Sequence, residues 1–413
     1  MINLKCKMPK MKMRYLQSIV LLLCITAISC KKSTDSAGGG NSNTNPTGGQ
    51  PGVYSGSKLA ISTGLNLVTP MIELGADTLY AAYNLGSTLV KPIPTGFENK
   101  IISFYLPKGY MLVFSANEDG TGESSTFVAL NNPIKANLPT RMRNNISYIR
   151  YIKINNPDKK GSAQVSDIAV QSLDASWYYG WSINKPSFTT QQFVPMTWGK
   201  GSATDANVKY LVERNDVDHL LSFNEPDGVD QSNVPVDTAV VRYRVMMKSG
   251  LRLVSPVTTQ GEAYGSGKWL TNFMAQAQTQ KLRIDCIAVH WYDWGNENNN
   301  QANDSITAER VFSRFQNYIQ AIRTNYPSLP IWVTEYNANR NRLSVPLHMR
   351  FMKLSTEWMN TLPYVERYSY FFPPAMLALN TDNTLSPAAI YWKSLPSAKS
   401  LTNNFSGDAA LIP

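Results

Sequence analysis

Two apolar, strand-like runs of the chain end on a glutamate. One is Leu220-Leu221-Ser222-Phe223-Asn224-Glu225, followed by Pro226-Asp227; the other is Ile331-Trp332-Val333-Thr334-Glu335, followed by Tyr336. A carboxylate so placed is costly to bury alone, so it is either paired or functional. Two carboxyls flanking an acetal bond can cleave it: one protonates the departing oxygen, and the other attacks carbon or activates water. Asn224, beside Glu225, carries an amide that can hydrogen-bond a hydroxyl. His290 and Tyr292 lie two apart in Ile287-Ala288-Val289-His290-Trp291-Tyr292, hence on one face of an extended strand. Trp181, Trp198 and Trp291 offer flat rings that match the C–H face of a sugar. The competing reading of these residues is structural: ion-paired carboxylates, a core histidine and core aromatics. Carboxylate chemistry of this kind requires no metal and no organic cofactor, and the 3 histidines are dispersed along the chain.

These groups need elements to hold them. Strict alternation puts Glu335 on the face of Val333 and Ile331, and Glu225 on that of Phe223 and Leu221, so both are expected to point into an enclosed apolar interior. Strand candidates are 177–181, 193–198, 220–225, 253–257, 287–292, 331–336 and 368–372. Amphipathic helices lie between the later ones. The clearest, 307–325, lines up Val311, Phe315, Tyr318, Ile319 and Ile322, and a last helix opens at Ser386-Pro387. Repeated βα units predict an α/β fold, a (β/α)8 barrel over 172–400 with its working groups at the strand C-terminal ends. Only seven strands are evident, and the missing one is expected within 202–218. Glu225 and Glu335 then stand three strands apart.

Upstream, residues 54–155 read as short strands and turns, a small all-β domain, with 156–171 as a linker and 401–413 as a tail. An internal echo relates Pro94-Thr95-Gly96-Phe97-Glu98-Asn99-Lys100-Ile101 to Pro139-Thr140-Arg141-Met142-Arg143-Asn144-Asn145-Ile146. The first 29 residues join a basic stretch to the apolar run Ile19-Val20-Leu21-Leu22-Leu23-Cys24-Ile25, as in a signal peptide. Cys30 follows Ala27-Ile28-Ser29 and resembles the lipidated cysteine of a bacterial lipobox. Residues 30–53 would then be a flexible tether rich in Gly, Ser and Asn. The expected setting is the bacterial cell envelope, with membrane contact through lipid on Cys30. Much of the +10 charge lies in that leader, at Lys5, Lys7, Lys10, Lys12 and Arg14, which argues against a nucleic-acid partner. A monomer is expected. Cys286 reads as a buried small hydrophobe.

The motifs "FVPMTWG", "LLSFNEPD", "LVSP", "IAVHWYD" and "PIWVTEY" occur in the order and spacing of glycoside hydrolase family 128, and residues 176–399 resemble that family's catalytic core. The resemblance implies a retaining β-1,3-glucanase. Glu225 would be the acid/base, Glu335 the nucleophile, and Asn224 a partner for the sugar 2-hydroxyl. His290 and Tyr292 would orient the nucleophile and contact sugar. Ser222 stands where the family usually has Gly, and Phe371-Phe372-Pro373 where it frequently has Trp. The alternatives are the same chemistry on another β-linked polysaccharide, or a non-catalytic glycan-binding surface lipoprotein. The segment "KGYMLVFSANEDGTGESSTF" resembles a βγ-crystallin Greek-key unit, which implies a small sandwich domain.

Overall fold

A computed structural model describes Tyr54 and residues 56–412. The expected signal segment 1–29 and the tether 30–53 with Cys30 lie outside the described residues.

The first strands are β1 (Leu59–Ser62), β2 (Met71–Leu74), β3 (Thr78–Ala81), β4 (Val90–Lys91), β5 (Ser103–Leu106), β6 (Tyr110–Ser115), β7 (Ser124–Ala129), β8 (Ile134–Asn137) and β9 (Tyr148–Lys153). In one sheet β2, β1, β5 and β8 are neighbours; in the other β4, β3, β9, β6 and β7 are. Each half of this region therefore sends its third strand, β3 or β8, into the other half's sheet. Between the sheets Ile61, Phe104, Leu112, Phe114, Phe127 and Ile149 form one buried cluster. The sequence echo has a physical counterpart in two turns that bond to each other. Asn99 N–H donates to Ile146 O at 2.9 Å, and Asn144 N–H to Ile101 O at 3.0 Å. Both asparagines take left-handed φ values, 51° and 56°, which a short polar side chain tolerates.

Parallel strands follow: β10 (Lys160–Ala163), β11 (Trp177–Tyr179), β12 (Gln192–Phe193), β13 (His219–Leu220), β14 (Arg252–Leu253), β15 (Ile287–Trp291), β16 (Ile331–Tyr336) and β17 (Val365–Tyr370). Pairing runs β12-β11-β10-β17-β16-β15, with β13 beside β14. Single parallel bridges, Met196 to Leu221 and Val254 to Cys286, connect the two sets. Helices α1 (Asp167–Leu173), α2 (Asp205–Val212), α3 (Val236–Met247), α4 (Trp269–Thr279), α5 (Asp304–Asn325), α6 (Val345–Thr361) and α7 (Pro387–Ser394) lie between and after these strands. Ser386 caps α7, its hydroxyl accepting from Ala389 N–H, as its position before Pro387 suggests.

The linker expected over 156–171 is corrected: it contains β10 and α1. The strand sought in 202–218 is not there, and that segment holds α2 instead. Strand β10 escapes a hydrophobic pattern because Lys-Gly-Ser-Ala has none. Lys160 and the preceding Lys159 are nevertheless buried. Lys159 Nζ donates to Leu362 O at 2.7 Å just past α6, and Lys160 Nζ donates to Trp392 O at 3.0 Å in the last turn of α7. Each ammonium thus meets carbonyls that a helix end leaves unpaired. Gly161 makes room for Trp177, since a Cβ at that position would lie 2.1 Å from the indole.

The tail expected at 401–413 is also corrected. Phe405 bridges Val128, and β18 (Ala410–Leu411) pairs antiparallel with β8, so the chain end returns to the first region. Gly250, at φ 63°, allows Tyr148 and Arg150 to approach the parallel-strand region; a Cβ there would meet the Tyr148 hydroxyl at 2.4 Å. At the N-terminal ends of the strands, Arg252 makes a two-pronged bond to Glu366, at 2.6 and 2.8 Å.

Replacing Gly161 with Ala should force the fully buried Trp177 ring aside and lower stability by about 1–3 kcal/mol, the usual range for overpacking. Urea unfolding measures this, and an unchanged midpoint would contradict the close approach.

Candidate active site

The strand ends place the two glutamates, but not by the alternation expected. Ala163, Trp177, Tyr179, Met196, Leu221, Ala288 and Trp332 form a cluster with no helix residue in it. Ile331, Val333 and Phe223 belong instead to the cluster that packs against the helices. Glu335 therefore does not share the orientation of Val333. The β16–β17 register shifts between Val333 and Tyr336, and this irregularity turns the carboxylate inward. Glu225 lies past the end of β13 at φ 39°, a left-handed conformation rare for a residue with a side chain. Pro226 disfavours the right-handed helical region for the residue before it. Glu225 N–H donates to Val257 O at 2.7 Å and Asn224 N–H to Trp198 O at 2.9 Å, which fixes the turn from both sides. Asp227 ties the same loop to its neighbour by accepting from Thr259 N–H at 3.1 Å and Thr259 Oγ1 at 2.5 Å.

One imidazole lies between the carboxylates. His290 is fully buried; its Nδ1 is 2.9 Å from Glu225 Oε1, and its Nε2 is 3.4 Å from Glu335 Oε1. The second of these is ion-pair distance rather than a hydrogen bond. Glu335 has further donors: Tyr179 Oη at 3.1 Å and Trp181 Nε1 at 3.0 Å to Oε1, and Tyr292 Oη to Oε2. Glu225 has His290 alone among side-chain donors of the described residues. Burial pushes the Glu225 carboxyl up, but the hydrogen bond and charge of His290 outweigh it and hold the group below the usual range. Burial pushes His290 down, and the charges of Glu335 and Glu225 outweigh that, so it is raised. A glutamic acid poised to donate calls for the opposite shift. In the free site the neighbouring imidazole, which competes for the proton, reverses it.

Both glutamates open onto a cavity of about 460 Å3 that Asn224, Trp181, Trp198 and Tyr292 also line. Asn224 Oδ1 is buried with no hydrogen-bond partner among the described residues, while its Nδ2 donates to Gln231 Oε1 at 3.3 Å. Two sequence expectations are corrected. Trp291 is core, packed 5.1 Å from Phe315 and 5.8 Å from Phe351 between ring centroids, because it sits on the helix-facing side of β15. His290 supports the carboxylates from below and lines no part of the cavity. The polar string 296–300 serves Arg342, which donates to the Asn296 carbonyl and to Asn300 Oδ1. Phe371, noted above where the family frequently has Trp, lines the cavity too, and residues that the sequence did not single out complete the lining: Gln231, Thr259, Trp294, Asn337, Arg340 and Pro374. Most sit in loops with no periodicity to betray them. Trp294 was within reach, two residues beyond Tyr292.

His290 should keep its second ring proton to a higher pH than an unperturbed imidazole does, because Glu335 and Glu225 raise its pKa against the effect of burial. Nitrogen-detected NMR of the ring reads this directly. Glu225→Gln should lower the pKa of His290, and a histidine that titrates identically in the variant would show that the contact is electrostatically idle.

Comparison with known proteins matches the family described as glycosyl hydrolase catalytic core to residues 152–391. No curated protein matches. Among solved structures, a glycoside hydrolase family 128 endo-β-1,3-glucanase from Amycolatopsis mediterranei, complexed with laminaripentaose, is 28% identical. The match covers 58% of this chain and 100% of that one, with a TM-score of 0.49. A curdlan-specific exo-β-1,3-glucanase of the same family from Blastomyces gilchristii is 23% identical over 57% of this chain and 98% of that one, TM-score 0.45. An endo-β-1,3-glucanase from Sorangium cellulosum is 23% identical over 58% and 98%, TM-score 0.47. With more than half its length matched, the chain belongs to the glycosyl hydrolase catalytic core family and is a glycoside hydrolase.

Proposed function

We propose that the protein hydrolyses β-1,3-glucan by double displacement, with Glu335 as nucleophile and Glu225 as acid/base, in a (β/α)8 barrel formed by β10 to β17. The observation that carries the division of roles is the unequal number of donors. Glu335 accepts from Tyr179, Trp181 and Tyr292 and lies 3.4 Å from His290 Nε2, contacts that hold both carboxylate oxygens in the fixed orientation an attacking group needs. Glu225 holds one side-chain partner and is free to gain and lose a proton. The proton it passes to the leaving oxygen is the one it shares with Nδ1 of His290. Once Glu335 is bonded to the anomeric carbon, the Glu225 carboxylate draws a proton from water as the water oxygen attacks that carbon, which breaks the bond to Glu335 and releases the sugar. Asn224, beside Glu225 and lining the same cavity, hydrogen-bonds the sugar 2-hydroxyl. Support for the substrate comes from the five ordered motifs shared with family 128. Support for the barrel comes from pairings that lead from β10 around to β17 and back. The strand exchange in residues 59–153 supports a βγ-crystallin-like double Greek key. On the lipobox sequence alone, we also propose that the chain is exported and tethered through lipid on Cys30.

Laminarin and curdlan should release reducing ends. Glu225→Gln and Glu335→Gln should each lose activity by about 10²–10⁴-fold or more, the scale on which a general acid or base contributes. NMR of the first product anomer separates the mechanisms: retention of the β form is expected, and inversion would remove Glu335 as nucleophile. Turnover of only another β-linked polysaccharide would keep the chemistry and move the substrate. Glycan binding without turnover would return the chain to the binding-protein reading. Fatty-acid labelling should follow Cys30 and disappear in Cys30→Ser, and label retained in that variant would place the anchor elsewhere.

A further inference from the structure

We infer that Trp294 and Arg340 form a separate sugar-binding subsite at one end of the cavity, held in shape by a buried ion cluster beneath it. The inference rests on the glycan-hydrolase reading above and adds which part of the cleft grips the chain beyond the bond being cut.

Trp294 and Arg340 come from different loops, after β15 and after β16, yet line the same cavity as the carboxylates. Trp294 is 40% exposed, and the Arg340 guanidinium lies over its ring in a cation–π contact, 5.5 Å from the centroid. Among the described residues no ion pair and no side-chain hydrogen bond engages Arg340. The pair thus offers an aromatic surface and several unspent N–H donors side by side. A pyranose matches both, with C–H groups against the indole and hydroxyl oxygens accepting from the guanidinium.

Underneath, the two loops are clamped together. The Asp293 carboxylate accepts from Arg314 Nε and Nη2, both at 2.7 Å, and lies 2.9 Å from Arg342 Nη1. Arg342 also donates to Ala338 O at 2.6 Å and Asn300 Oδ1 at 2.9 Å. Asp293 and Arg342 are 1% and 3% exposed, and Asp293 takes a left-handed φ of 52°. Burying such charges is expensive, and hydrophobic packing would stabilise a loop junction at lower cost. What the cluster supplies is fixed relative position for Trp294 and Arg340, the residues next to it that reach the cavity. Arg342 is therefore a positioning residue, and Trp294 and Arg340 are the groups that touch the glycan.

The test uses the full-length protein and soluble β-1,3-linked oligosaccharides, comparing the longest and the shortest that the wild type turns over. Trp294→Ala and Arg340→Ala should each lower the long-to-short ratio of kcat/KM by about ten-fold, and in a Glu225→Gln background should raise the Kd of the long oligosaccharide by a similar factor. Arg342→Lys, which keeps the charge but not the fork, should raise KM for the long substrate more than it lowers kcat. Unaltered ratios in Trp294→Ala and Arg340→Ala would overturn the subsite while leaving the hydrolase reading intact. A wild-type protein that neither binds nor cleaves any of these glucans would overturn both.

Discussion

The site depends on a single buried imidazole placed between two carboxylates that arrive on different strands. Two anions at close range repel, and desolvation raises the cost of each. His290 offsets both by presenting one nitrogen to Glu225 and the other towards Glu335, at 2.9 and 3.4 Å. Glu225 cannot move without losing this partner, whereas Glu335 is held by Tyr179, Trp181 and Tyr292 as well. This requires His290 to point inward from β15 and Glu335 from β16. The pairing of those strands shifts register between Val289 and His290, so that His290 stands opposite Glu335. The irregularity is thus part of the site's construction.

The supporting frame explains why such irregularities persist. Strand-only apolar residues, among them Trp177, Met196, Leu221 and Trp332, fill one side of the parallel strands, and the helices cover the other. The far end is closed by charge as well as by packing: Arg252 grips Glu366, and Trp332 Nε1 donates to that same carboxylate at 3.0 Å. The first region is attached rather than appended. Tyr148 Oη donates to Lys248 O at 2.9 Å, and Asn155 N–H donates to Asp218 Oδ2 at 2.6 Å. The chain end then crosses back to pair with β8.

What the sequence made legible follows from which signals are local. Both glutamates, Asn224, Tyr292, Trp181 and Trp198 all line one cavity, and a polar or aromatic side chain at the end of an apolar run is visible in the sequence. Strand β16 was readable to its ends, and so was the cap at Ser386. Strand β10 was not, because Lys160 and the preceding Lys159 are buried by contacts with helix ends two hundred residues away, and no local pattern encodes that. Alternation along a strand puts Glu225 with Phe223 and Glu335 with Val333, both of which pack in the cluster against the helices. Glu225 and Glu335 do enter the interior, but through a left-handed turn and a register shift rather than through the face of Phe223 and Val333. Trp291 and Trp294 show the same limit. Three residues apart, one is core and the other lines the cavity, and only the loop geometry after β15 decides which.

Three residues at the cavity or directly beneath it adopt left-handed backbone: Trp181 at φ 51°, Glu225 at 39° and Asp293 at 52°. None is glycine, and each conformation costs on the order of 1–3 kcal/mol. Each is also pinned by bonds that strain alone would not predict. Trp181 donates to Glu335, Glu225 N–H is held by Val257 O, and Asp293 is held by two arginines. Relaxing any one of them would swing a cavity group out of place: an indole, a carboxylate, or the loop carrying Tyr292 and Trp294. The strain therefore collects where side chains must leave the regular direction of a strand and converge. The stability that offsets it lies in the closed packing between strands and helices. A cleft that holds two carboxylates at fixed separation thus calls for a rigid frame beneath loops whose own conformations are unfavourable.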